Sequence, residues 1–347
     1  MFKFTVSVYR TLLILPFILI FSSCNTQSKK DAADFFLKAN AALHRNDYKE
    51  AIRWYDEALE KNESFSDAYL NKGIALLKLN LLEESFQTLS TAIEKDPTLL
   101  QAYMARAEVA LILGKTQITS QDLSAISKEY KDSSRYYLVE GNLNTALGQI
   151  GQAYSSYDKS IALSVDNPEA YVNRGYLYFQ EKRYPLAEQD FNSALRINPT
   201  QTEAINNLGL IATKNLQYAK AEGYFKRALD LKPTDAYALN NLGFVLLQTN
   251  RLSEAQSYIE RALTILPQNG YALRNLGLVY ANQKNWTKAI EVFNKALDLA
   301  EPVEALQGHS GMAYWENKQR DEACRIWNQG KILQDSLSIA YLKQYCD

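Results

Sequence analysis

The sequence predicts an all-α protein, a solenoid of about nine 34-residue helix pairs closed by a terminal capping helix. Three observations carry this. A small residue recurs at Ala39, Gly73, Ala107, Gly141, Gly175, Gly209, Gly243, Gly277 and Gly311, every step being 34. Twelve residues after each stands a second mostly small residue: Ala51, Ser85, Thr119, Ala153, Ala187, Ala221, Ala255, Ala289 and Ala323. Finally, Pro97, Pro199, Pro233 and Pro267 fall where the second helix of a pair must stop, because proline lacks the N–H that would continue it. A fixed period of this length is the mark of a repeat array, in which each unit buries its apolar face only against its neighbours.

At the amino terminus, residues 1–24 read as an address and not as part of the fold. Lys3 and Arg10 precede an apolar run from Thr11 to Phe21, broken by Pro16. That run is short against the roughly 20 apolar residues a spanning helix needs. It ends in Phe21-Ser22-Ser23-Cys24, small residues directly before a cysteine. The arrangement resembles the lipobox of a bacterial lipoprotein signal peptide, with Phe21 departing from the usual Leu. The resemblance implies lipidation at Cys24, a polar tether over residues 25–31, and a lipid-anchored place in the cell envelope. Without Asp at position 25, the outer membrane is favoured over the inner. An uncleaved anchor with Cys24 incidental is the alternative reading.

From residue 32 to 337 the pairs follow one another. Small residues at the two crossing points let paired helices approach, and large ones fill the surrounding space: Tyr69, Tyr103, Tyr137 and Tyr171 on first helices, Tyr55, Tyr157, Phe191, Phe225, Phe293 and Trp327 on second. This i, i+3, i+4 spacing is that of amphipathic helices. Most of the 23 tyrosines are thereby accounted for as packing residues. In the third pair, Thr119, Leu123 and Ile126 depart from the pattern, and residues 114–121 read as a loosened loop. This divides the array into residues 32–133 (three pairs) and 134–337 (six pairs), before a capping helix in 338–347.

The best unit runs Tyr171-x-Asn173-x-Gly175-x-x-Tyr178, then Ala187-x-x-x-Phe191-x-x-Ala194-x-x-x-x-Pro199. It resembles the tetratricopeptide repeat (TPR) family, and the likeness extends over residues 32–337. It implies a right-handed superhelix whose concave groove, built from first helices, binds a protein or peptide partner. In that family the sixth position of each repeat points into the groove. Here it is occupied by Asn71, Asn173, Asn207, Asn241 and Asn275, with Leu37, Ala105, Val139 and His309 as interruptions. An Asn amide offers both donor and acceptor, so such a ladder could read a peptide main chain. The alternative is that Asn is simply common at this position. Tyr176, Phe179, Leu210, Phe244, Leu278, Met312 and Trp315 share that side by helical spacing, with Tyr237 and Tyr271 near the helix starts, and predict an apolar or aromatic ligand. The carboxylate clamp of Hsp70- and Hsp90-binding relatives is not matched, since Phe36 and Leu138 replace its Lys where Asn40 and Asn142 are present.

Composition excludes several other classes. The chain has 347 residues, with 38 Lys+Arg against 39 Asp+Glu and a formal charge of −1, so it lacks the basic excess of a nucleic-acid binder. Three cysteines and two histidines, without metal-ligand spacing, supply no metal or cofactor site. No phosphate loop, G-x-S-x-G elbow or HExxH is present, so no enzyme is expected. Cys324 and Cys346 read as two separate thiols, a bridge between them being possible only if their Cα atoms come within about 7 Å. The function expected is a lipid-anchored scaffold. The alternative is a self-associating structural or assembly factor for an outer-membrane complex.

Overall fold

The computed structural model describes the backbone of residues 15–346 and side chains from residue 27 to 346; the lipidation site expected at Cys24 lies outside those side chains. The helices follow one another in pairs at the repeat spacing, and among the described residues there is no strand. None of the described helices is long and apolar enough to cross a membrane. The chain parts into two compact units, the first through Val165 and the second from Asp166.

The first unit holds α1 (Leu15–His44), α2 (Tyr48–Lys61), α3 (Ser66–Lys78), α4 (Leu82–Lys95), α5 (Leu100–Ile112), α6 (Thr116–Ile126), α7 (Ser134–Ala146) and α8 (Ile150–Leu163). Residues 25–31, expected as a tether, are helical within α1, and Ser28 Oγ donates to the Lys61 carbonyl at 2.7 Å. The core runs through Tyr55, Leu89 and Ile126, all fully buried.

The supposed loop in the third pair is a correction: residues 116–126 form α6. Its polar substitutions have partners. Thr119, at the crossing point, donates through Oγ1 to the Ala107 carbonyl at 3.3 Å, as Ser85 does to the Gly73 carbonyl at 2.7 Å. Asp122 is buried and takes a two-pronged ion pair from Arg106, Nε to Oδ2 at 2.9 Å and Nη2 to Oδ1 at 2.7 Å. The break between units therefore falls one pair later than the sequence suggested, after α8.

The second unit holds α9 (Pro168–Gln180), α10 (Tyr184–Ile197), α11 (Thr202–Lys214), α12 (Tyr218–Leu231), α13 (Ala236–Gln248), α14 (Leu252–Ile265), α15 (Gly270–Asn282), α16 (Trp286–Leu297), α17 (Leu306–Glu316), α18 (Arg320–Ile332) and α19 (Ser336–Tyr345). The small residue of each first helix is there because a large one crosses it. A Cβ on Gly209 would lie 2.6 Å from the Phe225 ring. Asp235 and Asn269 accept backbone N–H bonds at the starts of α13 and α15, satisfying donors a helix cannot pair internally.

Cys324 and Cys346 are joined in a disulfide with Cα atoms 5.9 Å apart, so the reading as separate thiols is corrected. Two cysteines 22 residues apart meet because α19 folds back on α18, bringing Tyr341 and Tyr345 onto the Trp327 indole.

One regularity spans both units. The residue turning each first helix into its second has a left-handed backbone, φ 56–71°, at Asn46, Asn80, Gly114, Gly148, Lys182, Leu216, Asn250, Lys284 and Lys318. The next N–H then bonds five residues back, as from Arg251 to the Leu246 carbonyl at 2.9 Å, which closes the helix end. Only two of the nine are glycine. The pairing of helices on either side supports the rest against the strain of a side chain at positive φ.

Candidate functional site

First helices α9, α11, α13, α15 and α17 line a groove in the second unit, about 1190 Å³ in volume. Tyr176, Phe179, Leu210, Phe244 and Leu278 furnish its apolar wall, as the sequence suggested, together with Tyr237 and Tyr271. Tyr237 is 62% and Tyr271 47% exposed, so large aromatic surface is left facing solvent. The surrounding framework is well packed, with Phe225, Leu239, Val245, Ile259 and Phe293 fully buried beneath.

Met312 and Trp315 do not belong to this wall. Both pack on the terminal core, and the Trp315 ring lies 4.8 Å from that of Tyr345 and 6.0 Å from that of Trp327. Helical spacing could not reveal this, because α19 covers the surface they would otherwise present.

Of the asparagine ladder, Asn207, Asn241 and Asn275 line the groove, and Asn173 on α9 does not. Asn71 lies in the first unit, where its Nδ2 donates to Asn40 Oδ1 at 3.0 Å. The groove amides are largely engaged in holding repeats together. Asn275 is 1% exposed; its Nδ2 donates to Asn240 Oδ1 at 2.9 Å, and its Oδ1 accepts from Arg274. Asn241 Nδ2 reaches Asn206 Oδ1 at 3.3 Å, and Asn207 Nδ2 reaches the Glu203 carbonyl at 2.9 Å. A ladder of amides all free to read a main chain is thus corrected. Asn275 is a structural residue, while Asn207 and Asn241 are engaged through their Nδ2 groups.

What sequence reasoning missed is the neighbouring register. Asn206, Asn240 and Arg274 are also 34 residues apart and also line the groove, one position before the ladder. In the earlier repeats this fifth position is apolar: Phe36, Leu70, Met104, Leu138 and Val172. The change from apolar to amide to guanidinium was there to be read. Arg274 lies over the Tyr271 ring at 5.3 Å and donates to Asn275 Oδ1 and, through Nη1, to the Glu304 carbonyl at 2.9 Å. Burial holds its guanidinium below the ordinary arginine value, with the Glu304 carboxylate and Tyr271 acting the other way. His309 lines the same end; burial first, and the Arg274 charge second, push its imidazole below the ordinary value, against Asp335.

Among the described residues no group of three His, Cys, Asp or Glu side chains is placed to hold a metal ion. The site is a trough with an apolar wall, lined also by asparagine amides and by the half-buried cation Arg274.

Comparison with known proteins gives the class. Tetratricopeptide-repeat family models match residues 36–99, 141–182, 168–201, 200–268 and 245–303. Together they span more than half of the chain, which belongs to the tetratricopeptide repeat family, a family of protein-interaction scaffolds that generally lack enzymatic activity. No curated protein sequence matches it.

Similar solved structures include the APC/C hetero-tetramer Cut9-Hcn1, at 15% identity and TM-score 0.67 over 91% of this chain and 76% of that one. The type IV pilus biogenesis factor PilW is similar at 22% identity and TM-score 0.54, over 60% of this chain and 98% of that one. Pseudomonas aeruginosa pilF is similar at 18% identity and TM-score 0.53, over 62% and 99%. At these identities the likeness establishes the repeat fold alone.

Proposed function

We propose that the protein is a lipid-anchored scaffold of the cell envelope that holds an extended segment of a partner protein in the groove of its second unit. The observation that carries this is the aromatic and aliphatic wall, Tyr176, Tyr237, Phe244, Tyr271 and Leu278, left open along a groove about 1190 Å³ in volume. Contiguous apolar surface of this kind is costly to leave in water and marks an interaction site. The acceptor sides of Asn207 and Asn241 suit a peptide's backbone N–H groups. The Cys324–Cys346 bridge supports an oxidising compartment, because cytosolic thiols are kept reduced. Lipidation at Cys24, on the outer membrane in preference to the inner, would display the groove at that surface.

A photocrosslinker at Tyr237 in intact cells tests the groove. The captured partner should vanish when Tyr271 and Phe244 are both changed to Ser, and equal capture by that variant overturns the reading. Palmitate labelling of the wild type, lost in Cys24→Ala, tests the anchor; labelling unchanged by the substitution refutes it. A second reading, self-association through the array's end, draws on Ile332, Leu333 and Ile339, exposed large apolar residues at the close of the second unit. Sedimentation of the full chain in detergent decides it, a strictly monomeric protein removing this alternative.

A further inference from the structure

Very little chain separates the expected lipidation site from the folded array. Residues 25–31, read in the sequence as a polar tether, belong to α1, and Ser28 Oγ donates to the Lys61 carbonyl at 2.7 Å, tying the start of that helix to the end of α2. Only Asn25, Thr26 and Gln27 stand between Cys24 and a residue already bonded to the first helix pair. Fully extended, at roughly 3.5 Å per residue, the chain from Cys24 to Ser28 reaches about 14 Å at most. The headgroup layer of one leaflet is itself about 5–7 Å deep. A lipidated Cys24 thus holds the first pair at the membrane surface, and the remaining variable is the face that pair turns to the lipid.

Each pair in a repeat array covers one side of its neighbour, and an end pair needs a polar outer face. The aromatic residues at the fourth position of first helices follow this: Tyr69 packs on the core of the first pair and Tyr103 on that of the second. Phe35 holds the same position in α1, but among the described residues no pair precedes it. Its ring stacks instead on that of Trp54 in α2, centroids 5.7 Å apart, and both residues are only half-buried. Two exposed cations border them, Lys38 at 5.1 Å from the Phe35 ring and 5.0 Å from that of Trp54, and Arg53 at 4.6 Å from Trp54. Neither cation makes an ion pair among the described residues, and Glu50, one turn before Trp54, is taken by Arg45 and by Trp54 Nε1. Half-exposed rings edged by basic side chains suit the boundary between headgroups and acyl chains, where the ring finds apolar surroundings and the cation meets phosphate.

We infer that the outer face of the first pair, Phe35 and Trp54 with Lys38 and Arg53, lies on the membrane, the rings at headgroup depth and the cations against lipid phosphates. This placement rests on the proposed lipidation of Cys24 and deepens it by naming the first pair's partner, a phospholipid surface that takes the place a preceding pair would hold.

The test uses the full chain, isolated from membranes and reconstituted in vesicles of phosphatidylethanolamine and phosphatidylglycerol that carry a radiolabelled phospholipid. A benzophenone photocrosslinker is placed singly at Lys38, Arg53, Lys61 or Gln121, all exposed positions, so that the core is left untouched. Lipid adducts should form at Lys38 and Arg53 and stay at background at Gln121, two pairs further along. An upright α1 would instead lift Lys38 about 15 Å above Ser28, at 1.5 Å per residue, and leave Lys61 as the labelled site. Palmitate incorporation into the same protein reads the anchor separately.

Palmitate incorporation without adducts at Lys38 and Arg53 overturns the membrane face while leaving the anchor intact. Adducts at Lys61 alone, or at Gln121 as readily as at Arg53, overturn that face too. A wild-type protein that takes up no palmitate overturns the anchor, and this placement with it.

Discussion

Changing Asp122 to Ala should loosen one helix pair of the first unit and nothing in the second. The carboxylate is 2% exposed and receives two hydrogen bonds from Arg106, whose Nη1 also reaches Ser90 Oγ at 3.2 Å. The hydrogen bonding to Asp122 is the chief reason the guanidinium is held above its ordinary value, so the pair is favourable in its charged form. Removing one member of a fully buried pair costs ~3–5 kcal/mol, because the survivor remains buried and uncompensated. Arg106 keeps Ser90 and is 19% exposed along its side chain, so the loss should be smaller, about 2–3 kcal/mol.

That loss should be local. The helix α6 has 11 residues and no side-chain cap at its start, and little else than Thr119, Leu123 and Ile126 fixes its inner face. Native-state hydrogen exchange is the appropriate assay, since a melt of a two-unit chain mixes their transitions. The amides of α5 and α6 should exchange about 30- to 150-fold faster, the equivalent of that energy. Exchange in α9 to α19 should be unchanged. The double variant Arg106→Met/Asp122→Leu should recover most of the protection, because an apolar pair of similar volume carries no desolvation cost. If Asp122→Ala leaves α6 protected, or the double variant is as open as the single, the ion pair is not what holds this repeat.

Three other outcomes are expected. Gly209→Ala should destabilise by about 1–3 kcal/mol, because its Cβ would overlap the buried Phe225 ring, whereas Gly223→Ala on an open helix face should stabilise by about 0.5–1 kcal/mol; denaturant titration compares them. Cys346→Ser should release α19 and change the emission of Trp327, which is buried against Tyr341 and Tyr345; the loop closed by the disulfide is worth about 3 kcal/mol, and unaltered emission under reduction would count against it. Because the folded state favours neutral His309, the stability that group confers is present above its ordinary value of 6.5 and is lost as pH falls from there toward its lowered folded value. Melting at about pH 7.5 and about pH 5.5 should show this loss, and His309→Gln should reduce it, with Arg274 and Asp335 the charged groups facing it.

The sequence revealed the architecture because a repeat states its packing rule several times over. Gly209 and Phe225 are legible as partners only when Gly277 and Phe293 stand at the same separation two repeats on. Departures from the rule were harder to interpret. Thr119 looked like decay of the pattern, since a pattern scores residue type while the fold scores satisfaction: its hydroxyl finds the Ala107 carbonyl, and nearby Asp122, which the pattern did not single out, finds Arg106. The left-handed turn residues escaped notice for a related reason. Lys182, Leu216 and Lys284 give no local sign of positive φ, which is imposed by the two helices they join.

The groove shows the same division more sharply. Tyr176, Phe179, Leu210, Phe244 and Leu278 were found because helical spacing alone puts them on one side, whereas Trp315 was misplaced because a later helix covers it. The asparagines illustrate a deeper limit. Spacing identifies which amides face the groove, but whether an amide is available depends on the residue 35 positions earlier, as Asn240 is for Asn275 and Asn206 for Asn241. An interaction across repeats therefore converts a row of apparent binding groups into part of the wall. The register is kept while the residue changes where an asparagine of the fifth position gives way to Arg274, and the cap residue Asn269 has a buried Nδ2 without a partner among the described residues. In a repeat array, then, the regular positions specify the trough, and chemical preference is to be sought where the register is kept but the residue changes.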